Sequence, residues 1–220
     1  AAAAPLSGII HTAGIDDTTP IAGTKPGDAA RVMAAKASGA WLLHDRTRDL
    51  PLETFVCFSS IASVLGSAGR GAYGAANAFL DALALERRRI GLPALSVNWG
   101  PWGGGGMATP GALEQYERFG NRALEADAAV ASMEALLSTD MAQAMVADID
   151  WETFRLAYEA ARPRPLVVGL SASIGRSGAR NAEPPVSKAL WIDRLTALPP
   201  DLRLAELTSL LRTEVAQTLG

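Results

Sequence analysis

Cysteine and histidine are nearly absent from this 220-residue sequence, which contains only Cys57, His11 and His44. One thiol cannot form an internal disulfide, so a disulfide scaffold is excluded and a reducing compartment, the cytoplasm, is expected. Three such side chains at unrelated spacings also give no metal-ligand pattern, and we predict no metal site. Because Cys57 lies in an apolar run, the sequence favours a small buried side chain there over a nucleophile.

Basic clusters and long apolar runs are missing as well. The 20 Lys and Arg residues are scattered and are balanced by 23 Asp and Glu residues, giving a net charge of −3. This pattern argues against a nucleic-acid partner and against an anionic membrane surface. Glycine, proline or charge interrupts every apolar run, so no membrane-spanning helix is predicted, and the first residues lack the features of a secretory signal.

The remaining sequence alternates between strand-like and helix-like segments. The continuous apolar run at 54–58 suits a strand that is buried on both faces of a parallel sheet. Strands that alternate with helices predict right-handed βαβ units, and therefore an α/β fold with a Rossmann-like parallel sheet. The predicted strands are 8–11, 54–58, 94–98 and 144–149, and the predicted helices are 28–43, 73–90 and 127–137.

The composition changes after Val168. We predict a catalytic domain over 1–169, a linker over 170–189 rich in Ser, Gly, Asn and Pro, and a tail over 190–220. Two helices are predicted in the tail, at 190–198 and 201–219, separated by Pro199 and Pro200. A lone amphipathic helix needs a surface to pack against, so we interpret this tail as the beginning of a further domain.

Three polar clusters follow predicted strands, at 11–14, at Ser59 and Ser60, and at 98–102. In open parallel sheets, ligands bind beyond the carboxyl ends of the strands. Tyr73 and Asn77 begin a helix and are four residues apart, so they share one helix face. A serine hydroxyl and a tyrosine phenol over one cleft suit a carbonyl substrate, with the serine holding the oxygen and the phenol donating a proton.

A free tyrosine has a pKa near 10 and is poorly matched to proton transfer near neutral pH. An ammonium about 4 Å away would stabilise the phenolate and lower that pKa by up to roughly three units. The sequence offers Lys25, Lys36 and Lys188. Lys36 is the best placed, because its helix leads into the strand that ends at Ser60. His11 is expected to be a hydrogen-bonded structural residue, and His44 is expected at the surface.

These residues resemble a known family. The segments GIIHTAG (8–14), KASGAW (36–41), FSSIA (58–62), YGAANAFLD (73–81) and VNWGPW (97–102) are similar to ketoreductase domains of modular polyketide synthases. Those domains belong to the short-chain dehydrogenase/reductase superfamily. The resemblance covers about residues 5–168. General members of the superfamily carry a lysine four residues after the tyrosine, whereas this chain has Asn77 there and Lys36 on an earlier helix, an exchange typical of the polyketide ketoreductases.

The resemblance implies NADPH-dependent reduction of the β-keto group of an acyl thioester, carried on the phosphopantetheine arm of an acyl carrier domain within a multidomain synthase. Tyr73 would donate the proton, Ser60 would polarise the carbonyl, and Lys36 with Asn77 would tune and position the tyrosine. The cofactor would contact Ala13, Gly14, Gly100, Pro101 and Trp102, and the substrate would contact Leu65 and the lid near Met107. The tail is similar to the start of an acyl carrier domain.

The sequence departs from the family pattern in two places. It contains no Gly-rich phosphate-binding turn, so we expect the N-terminal half of the Rossmann-like domain to be missing. The tryptophan of type A domains is replaced by Leu65, and the segment 16–18 stands where type B domains carry a Leu-Asp-Asp motif, which favours type B stereochemistry. A non-catalytic scaffold or docking segment is the alternative. A free-standing fatty-acid ketoreductase is a third interpretation, which Asn77 and the tail disfavour.

Overall fold

The computed structural model describes residues 5–160 and 162–168, together with 196, 198–199 and 202–203. The chain divides into two compact units, Ala1–Ala161 and Arg162–Gly220. The predicted domain boundary after residue 169 remains a prediction.

The first unit is built on a parallel sheet, as the sequence predicts. Its strands are β1 (Gly8–His11), β2 (Thr54–Ser60), β3 (Leu95–Trp99), β4 (Asn121–Arg122), β5 (Gln143–Val146) and β6 (Asp148–Ile149). Four of them form the main sheet in the order β1-β2-β3-β5, and all of its pairings are parallel. Every residue of β3 is buried, because helices cover both faces of such a sheet. The α/β, Rossmann-like prediction is confirmed.

Helices fill the connections between the strands. They are α1 (Pro26–Met33), α2 (Gly39–Thr47), α3 (Ile61–Val64), α4 (Gly71–Arg89), α5 (Pro110–Arg118), α6 (Ala126–Leu137) and α7 (Trp151–Tyr158). A π-helical turn, Ala34–Ser38, joins α1 to α2, so the predicted helix 28–43 is one longer helical run with a widened turn in its middle. Such turns occur frequently at functional sites, and this one contains Lys36.

The core lies on both faces of the sheet. On one face, Leu80 and Leu83 of α4 pack with Phe55 and Cys57 of β2. On the other face, Val97 of β3 belongs to a cluster with Ala129 of α6 and the partly buried Met133 and Leu136. Cys57 is fully buried, which confirms its prediction as a small core side chain.

The predicted strand 144–149 is wrong in its second half. The chain leaves the main sheet after Val146, and β6 pairs antiparallel with β4 in a separate two-stranded sheet. This pairing brings Arg122 Nη1 to 3.3 Å from the Asp148 carboxylate. The alternation of apolar residues does not show which of two sheets a strand joins, since both use the same periodicity.

Three helices of the first unit, α3, α5 and α7, were not predicted, and the two longer ones have clear N-caps. Helix α5 begins at Pro110 after Thr109, whose side chain accepts a hydrogen bond from the Ala112 N–H. Helix α7 begins after Asp150, whose side chain accepts from the N–H groups of Glu152 and Thr153. Both caps are ordinary helix start signals that the sequence already contained.

The second unit contains a short helix, α8 (Pro165–Val168). The predicted linker 170–189 lies outside the described residues, and so do the predicted tail helices 190–198 and 201–219 except at the isolated positions given above. Among the helices of the described ranges, none combines the length and the apolar character that crossing a membrane requires.

Candidate active site

A cleft of about 1070 Å³ opens at the carboxyl ends of the parallel strands. Ser60 reaches it from the end of β2, Trp99 from the end of β3, Tyr73 from the first turn of α4, and Lys36 from the π-helical turn. This is the location at which open parallel sheets bind ligands, because the strand ends and the loops that follow them share one edge.

Ser60 has a dual position, as the last residue of β2 and the N-cap of α3. Its Oγ accepts a hydrogen bond from the Ala62 N–H at 3.2 Å. Its carbonyl oxygen lies 2.9 Å from the hydroxyl of Ser63 and 3.4 Å from the amide nitrogen of Asn98. Because the capping bond uses a lone pair, the hydroxyl proton of Ser60 is left to donate to a substrate oxygen.

Tyr73 and Asn77 lie on one face of α4, as their spacing predicts. The Asn77 side chain is fully buried, and its Nδ2 donates to the Tyr73 carbonyl at 2.8 Å. The Asn77 Oδ1 has no partner among the described residues. Burial raises the pKa of the Tyr73 phenol, and hydrogen bonding with Ser60 and Asn77 opposes that effect.

Lys36 is almost completely enclosed, with 2% of its side chain exposed. Its Nζ donates to the Phe58 carbonyl at 2.7 Å and lies 5.7 Å from the centroid of the Tyr73 ring. Burial lowers the pKa of Lys36 to about 8, against the attraction of Cys57 and Asp81. We expected this ammonium to lower the pKa of Tyr73; instead, burial of the phenol raises that pKa.

The structure brings most of the predicted site residues to this one cleft. Besides Lys36, Ser60 and Tyr73, the predicted residues that line it are Gly14, Leu65, Gly100, Pro101, Trp102 and Met107. Two predicted residues lie elsewhere: Ala13 is exposed outside the lining, and Asn77 is buried beneath it.

Glycine at position 14 makes room for the lysine. A Cβ atom on Gly14 would lie 2.8 Å from the Lys36 Cε, closer than side-chain atoms normally approach. The rings of Phe58, Trp99 and Trp102 form an aromatic cluster that also lines the cleft, with the two tryptophan centroids 5.1 Å apart. The segment 103–106 that follows is exposed except at Gly103, and three of its four glycines have positive φ.

The mouth of the cleft carries aromatic and charged residues that sequence reasoning missed. The aromatic ones are Tyr116 and Phe119 near the end of α5, and Phe154 and Tyr158 of α7. The phenol of Tyr158 donates to the Leu65 carbonyl at 2.7 Å, which ties α7 to the loop at the substrate position. The Arg70 guanidinium pairs with the Asp16 carboxylate at 3.0 Å. The Thr109 and Asp150 caps were the signals that could have revealed both helices.

Both histidines are buried, and each has a ring nitrogen within hydrogen-bonding distance of a distant segment. His11 is buried, and its Nε2 donates to the Lys36 carbonyl at 3.1 Å, so the structural prediction is confirmed. The surface prediction for His44 is wrong, since the residue is buried and its Nδ1 lies 3.0 Å from Nη1 of Arg87. Burial lowers the pKa of His44, and the Arg87 charge lowers it further. Arg87 is fully buried over the Phe55 ring, a pairing between distant segments that one helix pattern cannot show.

Comparison with known proteins gives consistent matches. The KR domain family matches residues 1–104. Polyketide synthase GfsB of Streptomyces halstedii is 41% identical over 226 residues, which cover 100% of this chain and 4% of the synthase.

Solved structures agree with these sequence matches. PlmKR1, the ketoreductase from the first module of phoslactomycin biosynthesis in Streptomyces sp. HK803, is 43% identical with a TM-score of 0.71, covering 74% of this chain and 38% of that one. A structure of A-type ketoreductases from a modular polyketide synthase is 42% identical with a TM-score of 0.75, covering 78% and 37%. The chain therefore spans well under half of each of these relatives.

Proposed function

Because this chain belongs to the ketoreductase domain family of modular polyketide synthases, we propose that it carries the catalytic residues of a β-ketoacyl reductase. The reaction reduces the β-keto group of an acyl thioester to a hydroxyl group. The observation that carries this proposal is the meeting of the Ser60 and Tyr73 hydroxyls and the Lys36 ammonium at one cleft.

Tyr73 is the proton donor. Its burial raises the pKa of the phenol, so the proton stays on the oxygen at neutral pH until a stronger base forms beside it. The carbonyl oxygen becomes such a base as the carbonyl carbon is reduced. Ser60 donates a hydrogen bond to the same oxygen and thereby stabilises the negative charge that develops there.

Lys36 restores the proton after transfer. An ordinary lysine is fully protonated at neutral pH, whereas this one has a pKa of about 8 and exchanges protons near neutrality. Asn77 holds the Tyr73 carbonyl through its Nδ2, which fixes the first turn of α4 beneath the phenol.

Ketoreductases of this superfamily use a nicotinamide cofactor, and we propose NADPH for this chain. The residues that would hold its nicotinamide end are Gly14, Gly100, Pro101 and Trp102, which line the cleft. Aromatic side chains beside glycine backbone suit an aromatic ring, and Gly100 already packs so closely that a Cβ atom would lie 3.1 Å from Ala147. When bound, the nicotinamide supplies the hydride that reduces the carbonyl carbon.

The proposed substrate is carried on the phosphopantetheine arm of an acyl carrier domain, and the other domains of a synthase are the proposed partners. Leu65 and Met107 line the cleft on the substrate side, and Tyr158 holds the backbone of Leu65. A leucine at this position supports type B stereochemistry, which chiral analysis of the product would establish. The buried free thiol of Cys57 supports the cytoplasm as the proposed location.

The test is NADPH oxidation with a β-ketoacyl N-acetylcysteamine thioester. It is measured on the chain alone. It is also measured on the chain co-expressed with the segment of a homologous ketoreductase domain that carries the Gly-rich phosphate-binding turn. We expect turnover in the co-expressed sample. Tyr73→Phe should reduce it by a factor on the order of 10² to 10⁴, and Ser60→Ala by less.

Ser138→Ala is the matched control for Ser60→Ala, because Ser138 is exposed at the end of α6 and should leave the rate unchanged. A wild-type rate in Tyr73→Phe would show that the proton comes from elsewhere. A folded co-expressed sample without turnover would favour a scaffold or docking segment instead.

A further inference from the structure

A buried carboxylate, Asp81, lies behind the site and has no part in the mechanism above. It stands on α4 two turns after Tyr73, with 7% of the residue exposed. Its oxygens accept from the hydroxyls of Ser63 and Ser96, each at 2.6 Å, and from Nδ2 of Asn98 at 2.9 Å. A buried charge whose described hydrogen-bond partners are all neutral is expensive to keep, so a specific role is expected.

The proton count of this cluster explains what the charge does. Ser63 and Ser96 have one hydroxyl proton each, and Asn98 has two amide protons. The carboxylate attracts both hydroxyl protons and one amide proton, because charge-assisted hydrogen bonds are the stronger ones. The second amide proton is then left for one of three acceptors near the Asn98 nitrogen: the Ser63 hydroxyl oxygen at 2.9 Å, the Ser59 hydroxyl oxygen at 3.0 Å or the Ser60 carbonyl at 3.4 Å.

Ser59 extends the cluster to the helix that carries the tyrosine. Its hydroxyl donates to the Asn77 carbonyl at 3.2 Å. The hydrogen bonds that radiate from Asp81 therefore reach the backbone of both Ser60 and Asn77, on the two elements that present the catalytic hydroxyls.

We propose that Asp81 is a positioning residue: its carboxylate orients the donors that hold the backbone at Ser60. This proposal rests on the proposed function. The amide of an Asp81→Asn variant presents N–H donors where the carboxylate accepts, which reverses part of the hydrogen-bond direction around Ser63 and Ser96.

Electrostatics also link Asp81 to Lys36. Burial raises the pKa of Cys57 on β2 to about 12, and burial also raises the pKa of Tyr73 on α4, so both are neutral. His11 on β1 has a pKa lowered by burial and adds no charge at neutral pH. Asp81 is the remaining group of this set, and its attraction raises the pKa of Lys36 against the larger effect of burial.

The experiment compares wild type, Asp81→Asn and Asp49→Asn. Asp49→Asn makes the same chemical change at an exposed carboxylate, whose side chain is 92% exposed. The pH dependence of kcat and KM is measured in the co-expressed sample. We expect Asp81→Asn to lower kcat on the order of tenfold with little change in KM, and to move the basic limb of the kcat profile to lower pH. Asp49→Asn should match wild type.

A second measurement does not need activity. The chain has three lysines, so ¹³Cε-labelled lysine gives three NMR signals, and Lys36→Met assigns the one from Lys36. The Lys36 signal should titrate at lower pH in Asp81→Asn than in wild type.

If Asp81→Asn does not fold, Ser63→Ala replaces it in the kinetic test, because this change removes the hydroxyl that lies between Asp81 and the Ser60 carbonyl. We expect kcat to fall in Ser63→Ala.

The outcomes separate this proposal from the proposed function. A wild-type sample with turnover, together with an Asp81→Asn variant whose kcat, basic limb and Lys36 titration are unchanged, would overturn the positioning role and leave the reductase assignment intact. Unchanged kcat in Ser63→Ala would do the same if Asp81→Asn is unfolded. A lowered Lys36 titration in a chain without turnover would support the charge effect while contradicting the reductase.

Discussion

Replacing Lys36 by methionine should stabilise the fold while it removes the proposed proton relay. The ammonium is nearly completely buried and makes one short hydrogen bond, to the Phe58 carbonyl. Methionine has a similar length and flexibility, and it fills irregular space in a core without carrying a charge. The perturbation therefore deletes a buried charge with little change in volume.

The magnitude follows from the pKa of Lys36, which burial lowers from 10.5 to about 8. Because one pKa unit corresponds to about 1.4 kcal/mol, the ammonium costs the native state about 3 kcal/mol at pH 7. The cost is fully present below the folded pKa of about 8, where the lysine is charged in both states, and it disappears as the pH rises toward 10.5. The stability of wild type relative to Lys36→Met should therefore improve by about 2 to 3 kcal/mol between pH 7 and pH 10.

Urea unfolding of wild type and Lys36→Met at pH 7 and at pH 10 measures this difference. Loss of the hydrogen bond to Phe58 changes the free energy of unfolding by the same amount at both pH values, because a neutral amine also donates. This contribution therefore cancels in the comparison. Lys25→Met is the matched control, because it makes the same chemical change at an exposed lysine. A difference in unfolding free energy that is the same at both pH values would refute the reasoning.

Three further predictions concern backbone space and a buried histidine. Gly14→Ala should lower turnover and change the Lys36 NMR titration, because its Cβ would lie 2.8 Å from the lysine Cε; an unchanged titration would contradict the close packing. Burial and Arg87 lower the pKa of His44, so the free energy of unfolding should fall as the pH drops below 6.5, and urea titrations should show a weaker fall in His44→Asn. Gly120→Ala should reduce the free energy of unfolding by about 1 to 3 kcal/mol in the same assay, since Gly120 has a φ of +78° and a Cβ would meet a backbone oxygen at 2.6 Å.

Long periodic segments made most of the fold predictable. The predicted strand 8–11 coincides with β1, and the predicted helix 73–90 lies within two residues of α4 at each end. These segments have continuous or strongly periodic apolar residues bounded by glycine or proline, so local pattern and tertiary burial favour the same structure. Helices α5 and α7 were not predicted because their signals are short caps, and the segment 144–149 was misassigned because pairing partners decide sheet membership.

The candidate site divides in a similar way. Tyr73 and Asn77 share a face because four residues make about one helical turn, and this spacing can be read directly from the sequence. The direction of the Lys36 ammonium toward the Phe58 carbonyl and the rise that burial causes in the pKa of Tyr73 both depend on packing between elements. The environment of Asp81 also depends on tertiary packing, because its hydrogen-bond partners come from the short helix α3 and from strand β3.

The sequence by itself determined the order of elements, the parallel sheet and the residue types at the strand ends, because these follow from periodicity and from spacing along one chain. Only the tertiary structure decided which of those side chains lost their water and which charges they face. Desolvation and Coulomb interactions depend on distances between segments far apart in sequence, such as α3, β3 and α4 around Asp81. The acid–base properties of Lys36 and Tyr73 are therefore tertiary properties, whereas the positions of these residues are recorded in the sequence.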